Sequence, residues 1–179
     1  DDGLMSEALF RKAQGLELKG EGPEALEALD KAISLAGDDP KVMSELLYQN
    51  GWVLYLSNKY AESMEKTVAA EELAEKHDLL QVSAKALRLK GILLKQKGEI
   101  ESAKESYEKS LKICEKNNFR RDLANVLNNL GLLDPNNSRH WESLGTTTDT
   151  TITIINVGDS EWSFGVTANN GGGASSMTI

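Results

Sequence analysis

Three glycines, Gly51, Gly91 and Gly131, stand 40 residues apart, each inside an apolar-periodic stretch: SELLYQNGWVLYL, AKALRLKGILLKQ and ANVLNNLGLL. Leu47, Leu87 and Leu127 lie four residues before them, and Leu54 and Leu94 lie three residues after the first two. Roughly 12 residues further on a second pattern returns, with Ala103, Tyr107 and Leu111 in one copy and Ala25, Leu29, Ala32 and Ile33 in another. Spacings of three and four put these residues on one face of a helix. A fixed period of this length restricts the chain to stacked copies of one supersecondary unit.

That unit reads as a helical hairpin. Its first helix needs a small residue where the second crosses it, although glycine costs about 1 kcal/mol of helix propensity there. The second helix offers alanine at the same crossing. Each hairpin leaves an apolar face that only a neighbouring hairpin can cover. Helices are predicted at 5–19, 23–36, 41–57, 60–77, 81–97, 99–117 and 121–133, with Pro23 in a first turn and GDDP closing the first repeat. LDPNN at 133–137 breaks the chain before an eighth helix, so the seventh caps the stack, with Arg121, Asn125, Asn128 and Asn129 as its polar face.

The pattern resembles the tetratricopeptide repeat (TPR). The third copy carries it best, with Leu87, Gly91, Leu94, Gly98, Ala103 and Tyr107. The first has Leu9, Ala13, Leu16, Gly20, Ala25, Leu29 and Ala32; the second has Ser63 and Thr67 at the alanine and aromatic positions. The 40-residue period and the LNNLGLL string are similar to kinesin-light-chain-type repeats. The resemblance covers about residues 4–133 and implies an all-α solenoid of about 3.5 hairpins.

Beyond Gly145 the apolar period changes to two. Residues 1–133 contain one threonine and 134–179 contain eight; the last lysine is Lys116. A linker over 134–148 and three strands at about 149–157, 160–168 and 174–179 are expected, with turns at Gly158-Asp159 and Asn169–Gly173. Ile152, Ile154, Trp162, Phe164, Val166, Met177 and Ile179 would share one apolar face that needs a cover. The segment also resembles the opening strands of bacterial Ig-like domains, which implies an incomplete β-sandwich.

Net charge is −8, which speaks against nucleic acid or an anionic membrane as partner. Residues 1–133 hold 23 acidic and 19 basic groups, and 134–179 hold five acidic groups and one basic group, Arg139. No stretch is apolar enough to span a membrane. One cysteine, Cys114, allows no internal disulfide and reads as packing. His77 and His140 read as surface residues, and acidic pairs such as Glu71-Glu72 as solvated faces. Asn136-Asn137-Ser138 matches a glycosylation sequon. No phosphate loop, zinc spacing, nucleophile elbow or paired catalytic carboxylate is visible, so neither an enzyme nor a metal or cofactor is expected.

In TPR arrays the first helices of the hairpins line the concave face, where peptides lie. By register that face carries Tyr48, Trp52 and Tyr55, then Lys85, Arg88, Ile92 and Lys95, then Asn125, Asn128 and Asn129. The cations suit an acidic ligand segment and the aromatic side chains suit apolar anchors. The resemblance implies that Asn129 clamps a peptide main chain, which one amide can do as donor and acceptor. Alternatively, Tyr48 and Trp52 pack between repeats and the lysines are plain surface. Two functions follow. One is a non-catalytic protein-interaction scaffold holding a peptide or partner protein. The other is a self-assembling structural subunit, a homo-oligomer or filament whose strands are completed by the next copy. The Thr/Ser/Asn/Gly-rich tail favours a secreted or cell-surface setting.

Overall fold

The computed structural model describes residues 2–133 and the backbone of 150–156, 162–168 and 175–178. Seven helices follow one another: α1 (Asp2–Leu18), α2 (Gly22–Leu35), α3 (Pro40–Leu56), α4 (Tyr60–Lys76), α5 (Leu80–Gln96), α6 (Ile100–Asn117) and α7 (Arg120–Gly131). Odd-numbered helices are the first members of the hairpins and even-numbered ones the second. GDDP opens α3 rather than merely closing the repeat before it. The Asp39 carboxylate accepts the backbone N–H of Lys41 at 2.8 Å and of Val42 at 3.4 Å, and Pro40 occupies the first turn, where no N–H is needed.

Within a hairpin the turn is the same each time. One residue takes a left-handed conformation, Gly20 (φ 79°), Asn58 (φ 60°) and Gly98 (φ 82°). The next residue then donates its N–H back to the carbonyl five positions earlier: Glu21 to Leu16, Lys59 to Leu54 and Glu99 to Leu94, at 2.9–3.0 Å. This closes the helix end and folds the second helix back along the first. Asn58 replaces glycine because asparagine tolerates this conformation better than other side chains. Between hairpins, Gly37, Asp78 and Asn118 take positive φ in the same way.

The glycine period is a packing device. A Cβ on Gly91 would lie 2.5 Å from Cε1 of Tyr107, and one on Gly51 would lie 2.9 Å from Oγ1 of Thr67. The residue at the alanine position meets the glycine as expected in the second hairpin, where the Ser63 hydroxyl donates to the Gly51 carbonyl, and the residue at the aromatic position adds a closer contact. The glycine makes room for the residue at the aromatic position of the second helix, while Ala103 and Ser63 fill space beside it, both fully buried. Hydroxyls tie the hairpins internally: Ser6 donates to the Ala32 carbonyl at 2.8 Å, Ser63 to Gly51 at 2.7 Å and Ser110 to Ala84 at 2.6 Å. Ala13, Ala25, Leu29, Ala32, Leu46 and Val53 form a core cluster that runs from the first hairpin into α3.

Glu71 is not on a solvated face. It is buried on α4 and accepts from Lys90 of α5 at 2.8 Å. One repeat earlier, Asn50 of α3 donates to Asp30 of α2 at 3.0 Å. Asn50 and Lys90 are 40 residues apart, so the same position of successive hairpins reaches a carboxylate on the helix before it.

Two compact units divide the chain, residues 1–123 and 124–179. In the second, β1 (Thr150–Asn156), β2 (Trp162–Ala168) and β3 (Ser175–Thr178) form an antiparallel sheet in the order β1-β2-β3. Its register sets Ile152 opposite Val166, Ile154 opposite Phe164 and Phe164 opposite Met177. The expected linker at 134–148, both turns, His140, the sequon and Ile179 lie outside the described residues, as do the side chains of the expected apolar face.

Candidate functional site

Helices α1, α3 and α5 are joined by side chains on one face of the first unit. Glu17 of α1 accepts from Gln49 Nε2 and from Trp52 Nε1 of α3, each at 3.0 Å. Arg88 of α5 donates to the Tyr48 hydroxyl of α3 at 3.2 Å, and its guanidinium carbon sits 5.5 Å from the centre of the Trp52 ring. Trp52 stacks obliquely with Tyr55 at 5.5 Å, and Tyr55 with Tyr60 at 5.9 Å. Gln81 of α5 continues the line to Asp122 at 3.2 Å. Trp52 is thus fixed on both sides, by a carboxylate at its N–H and a cation over its ring.

Tyr48, Trp52, Tyr55, Arg88, Lys85 and Ile92 are all half-buried, and Lys95 is exposed. The two sequence-based alternatives for Tyr48 and Trp52 therefore meet in one arrangement: these side chains bridge repeats while keeping part of their surface open. Burial raises the Tyr48 phenol above its ordinary range, against the lowering pull of Arg88. Among the described residues Arg88 has a neutral phenol and an aromatic ring as partners and joins no ion pair, and its Nε is buried without an acceptor.

Asn125 and Asn128 are exposed on α7 and belong to the second unit; Asn129 is half-buried there, with its amide nitrogen buried and unpaired. Cys114 is fully buried, and burial raises its thiol pKa, which makes it inert packing. His77 is exposed. Among the described residues no cluster of His, Cys, Asp or Glu is placed to hold a metal ion, and no helix is long and apolar enough to cross a membrane.

Glu17 and Gln49 escaped the sequence reading, and so did a cleft of about 610 Å³ between α1 and α3. Glu7, Phe10, Arg11 and Gln14 line it from α1, and Val42 and Glu45 from α3. The signal was available. Ala13 precedes Gly51 by 38 residues, and the same shift carries Glu45, Tyr48, Trp52 and Tyr55 back to Glu7, Phe10, Gln14 and Glu17.

No protein-family model matches this sequence, and no curated protein matches it. Solved structures do match. The apo form of RapI gives a TM-score of 0.69 at 15% identity, over 75% of this chain and 50% of that one. The Rap conjugation gene regulator of the plasmid pLS20, in complex with the Phr* peptide, gives 0.63 at 18% identity, over 70% and 36%. The Sgt2 TPR domain from Aspergillus fumigatus gives 0.51 at 19% identity, over 80% and 90%. The chain spans half or less of the two Rap structures. At these identities the likeness is one of fold: the seven helices form a TPR-like helical-repeat solenoid.

Proposed function

We propose that this chain is a non-catalytic interaction scaffold that holds a peptide, or an extended segment of a partner protein, across the face formed by α1, α3 and α5. The observation that carries this reading is the bridge of Glu17, Trp52, Arg88 and Tyr48. Rigid aromatic and guanidinium groups that stay half-open are what anchor residues at interfaces use, and fixing them beforehand lowers the ordering cost of binding. The Rap regulator of pLS20 was solved with a peptide, which agrees with such a role. Lys85, Ile92 and Lys95 extend the proposed surface along α5. Asn125, Asn128 and Asn129 are proposed as further contacts, with Asn129 as a main-chain clamp. The solenoid is taken as 4–133, followed by a linker at 134–148 and a β segment at 149–179.

The test is selection of a random peptide library on the immobilised protein, followed by Trp52→Ala and Arg88→Ala variants checked for helicity by circular dichroism. Enriched peptides should lose at least tenfold in affinity for both variants. Peptides that bind both variants as well as the original would place recognition elsewhere and end this proposal.

A further inference from the structure

The charges on this face change sign along the stack. Position by position, α1, α3 and α5 present Glu7, Glu45 and Lys85; Phe10, Tyr48 and Arg88; and Glu17, Tyr55 and Lys95. Not all of these charges are open. Glu7 is taken by Arg11 at 2.7 Å. Among the described residues Glu17 accepts from the neutral donors Gln49 and Trp52 and joins no ion pair, so its negative charge is not offset there. Glu45 and Lys85 join no ion pair among the described residues. Arg88 keeps its positive charge, because a phenol and an indole ring do not neutralise it. At the cleft Asp39 and Lys41 offset each other in sign, which leaves Glu45 uncancelled, so the α1–α3 half is net negative and the α5 half positive, with Trp52 and Tyr55 near the change of sign.

We infer that the scaffold selects its ligand by charge order: an extended segment with a carboxylate over α5, an apolar or aromatic residue over Trp52 and Tyr55, and a basic residue at the cleft between α1 and α3. The inference rests on the peptide-binding reading above and deepens it. Arg88 is the principal anchor, since a half-buried cation held in place by Tyr48 and Trp52 is only partly solvated and gains most from a carboxylate. A wholly acidic segment meets Glu17 and Glu45 at its far end, and a wholly basic one meets Arg88 and Lys85. Neighbouring packed helices stand about 10 Å apart, and an extended chain advances about 3.3 Å per residue. The two ligand charges are thus separated by about three residues if the base lies over α3, and by more if it reaches across the cleft toward α1. Side-chain charge fixes this order but not the direction of the peptide main chain.

The experiment uses four seven-residue peptides, acetylated and amidated so that their termini carry no charge, each with a central tryptophan and leucine. The first has lysine at one end and glutamate at the other. The second has lysine at both ends, the third glutamate at both, and the fourth glutamine at both. Binding to the full chain is followed by fluorescence anisotropy of a dye on the peptide. The mixed peptide should bind about tenfold tighter than either uniformly charged one at low salt, and the gap should close at about 0.5 M salt as screening sets in. Lys85→Glu should shift the preference toward the double-lysine peptide and Glu45→Lys toward the double-glutamate peptide. Both side chains are half-buried, so melting curves that match the original are required to show that these variants keep the fold. Affinities within twofold of one another for all four peptides would overturn the charge order and leave the peptide surface standing. Failure of every peptide to bind at millimolar concentration would overturn both.

Discussion

Gly91 is the residue on which the third hairpin turns. Replacing it with alanine would improve helix propensity by about 1 kcal/mol, yet the new Cβ would lie 2.5 Å and 2.6 Å from two carbons of Tyr107, which is 1% exposed and has nowhere to go. Overpacking of this kind costs about 1–3 kcal/mol. Gly91→Ala is expected to lower stability in urea denaturation, and Gly51→Ala to do so less, because the nearest obstacle there is the Thr67 hydroxyl at 2.9 Å, with the Ser63 carbonyl oxygen and the Thr67 amide nitrogen further off at 3.3 Å and 3.4 Å. A Gly91→Ala protein as stable as the original would show that the ring moves freely. Tyr107 also sets a pH response. Burial raises its phenol pKa well above the usual value, and burial raises Cys114 in the same direction. The folded state therefore holds these protons more tightly than the unfolded state does. Their contribution is intact below the ordinary thiol and phenol range, about pH 8.5–10, and is lost as pH rises toward the folded values. Melting temperature should be level from about pH 7 to 8.5 and then decline, and Tyr107→Phe should flatten the decline above about pH 10. Parallel slopes for the variant and the original would assign the alkaline loss to other groups.

At the scale of the element, successive hairpins are locked by one polar contact in a fixed register, Asn50 with Asp30 and Lys90 with Glu71. Breaking a fully buried ion pair from one side costs about 3–5 kcal/mol. Lys90 keeps 31% of its side chain in solvent, so Glu71→Ala should cost less, about 1–2 kcal/mol by denaturant midpoint. The double variant Glu71→Leu with Lys90→Leu should recover at least half of that loss. If Glu71→Ala is neutral, the contact is incidental to stacking. The hairpins themselves were legible because their signal is local. Small residues at 51 and 91, left-handed turns at Gly20 and Gly98 and leucines at fixed offsets each act within one repeat. The Glu71 contact was not legible. An acidic pair beside lysines reads the same whether it faces water or the next hairpin, and only the tertiary stack decides. The same holds for Glu17, which becomes part of the site through donors 32 and 35 residues away. Helical spacing alone puts Tyr48 and Trp52 on one face of α3 and Arg88 at the matching position of α5, while their mutual contacts depend on how closely α3 and α5 approach.

At the scale of the whole solenoid, stability is a sum of repeats and the interfaces between them. In the first unit α3 and α5 are covered on both sides, whereas α1 has α2 and α3 as neighbours and leaves a second face open. Exposure falls along the stack at one position: Leu4 on α1 is 67% exposed, Val42 on α3 37% and Val82 on α5 4%. Gly15 meets nothing within 4 Å, while Val53 and Leu93 at the equivalent positions are each 1% exposed. The terminal helix thus lacks the interface that stabilises its counterparts. Local opening should follow this gradient: in native-state hydrogen exchange, amides in the middle of α1 should exchange at least tenfold faster than those in the middle of α3 and α5. A tenfold ratio corresponds to about 1.4 kcal/mol between the opening free energies, the scale of one moderately buried apolar side chain. A ligand across α1, α3 and α5 would be felt most at the weakest helix, so a bound peptide should slow exchange in α1 more than in α5. Equal protection of α1 and α5 in the free protein would mean that the open face of α1 is covered in solution. A ligand that slows α5 alone would confine binding to the basic half of the face and shorten the segment it holds.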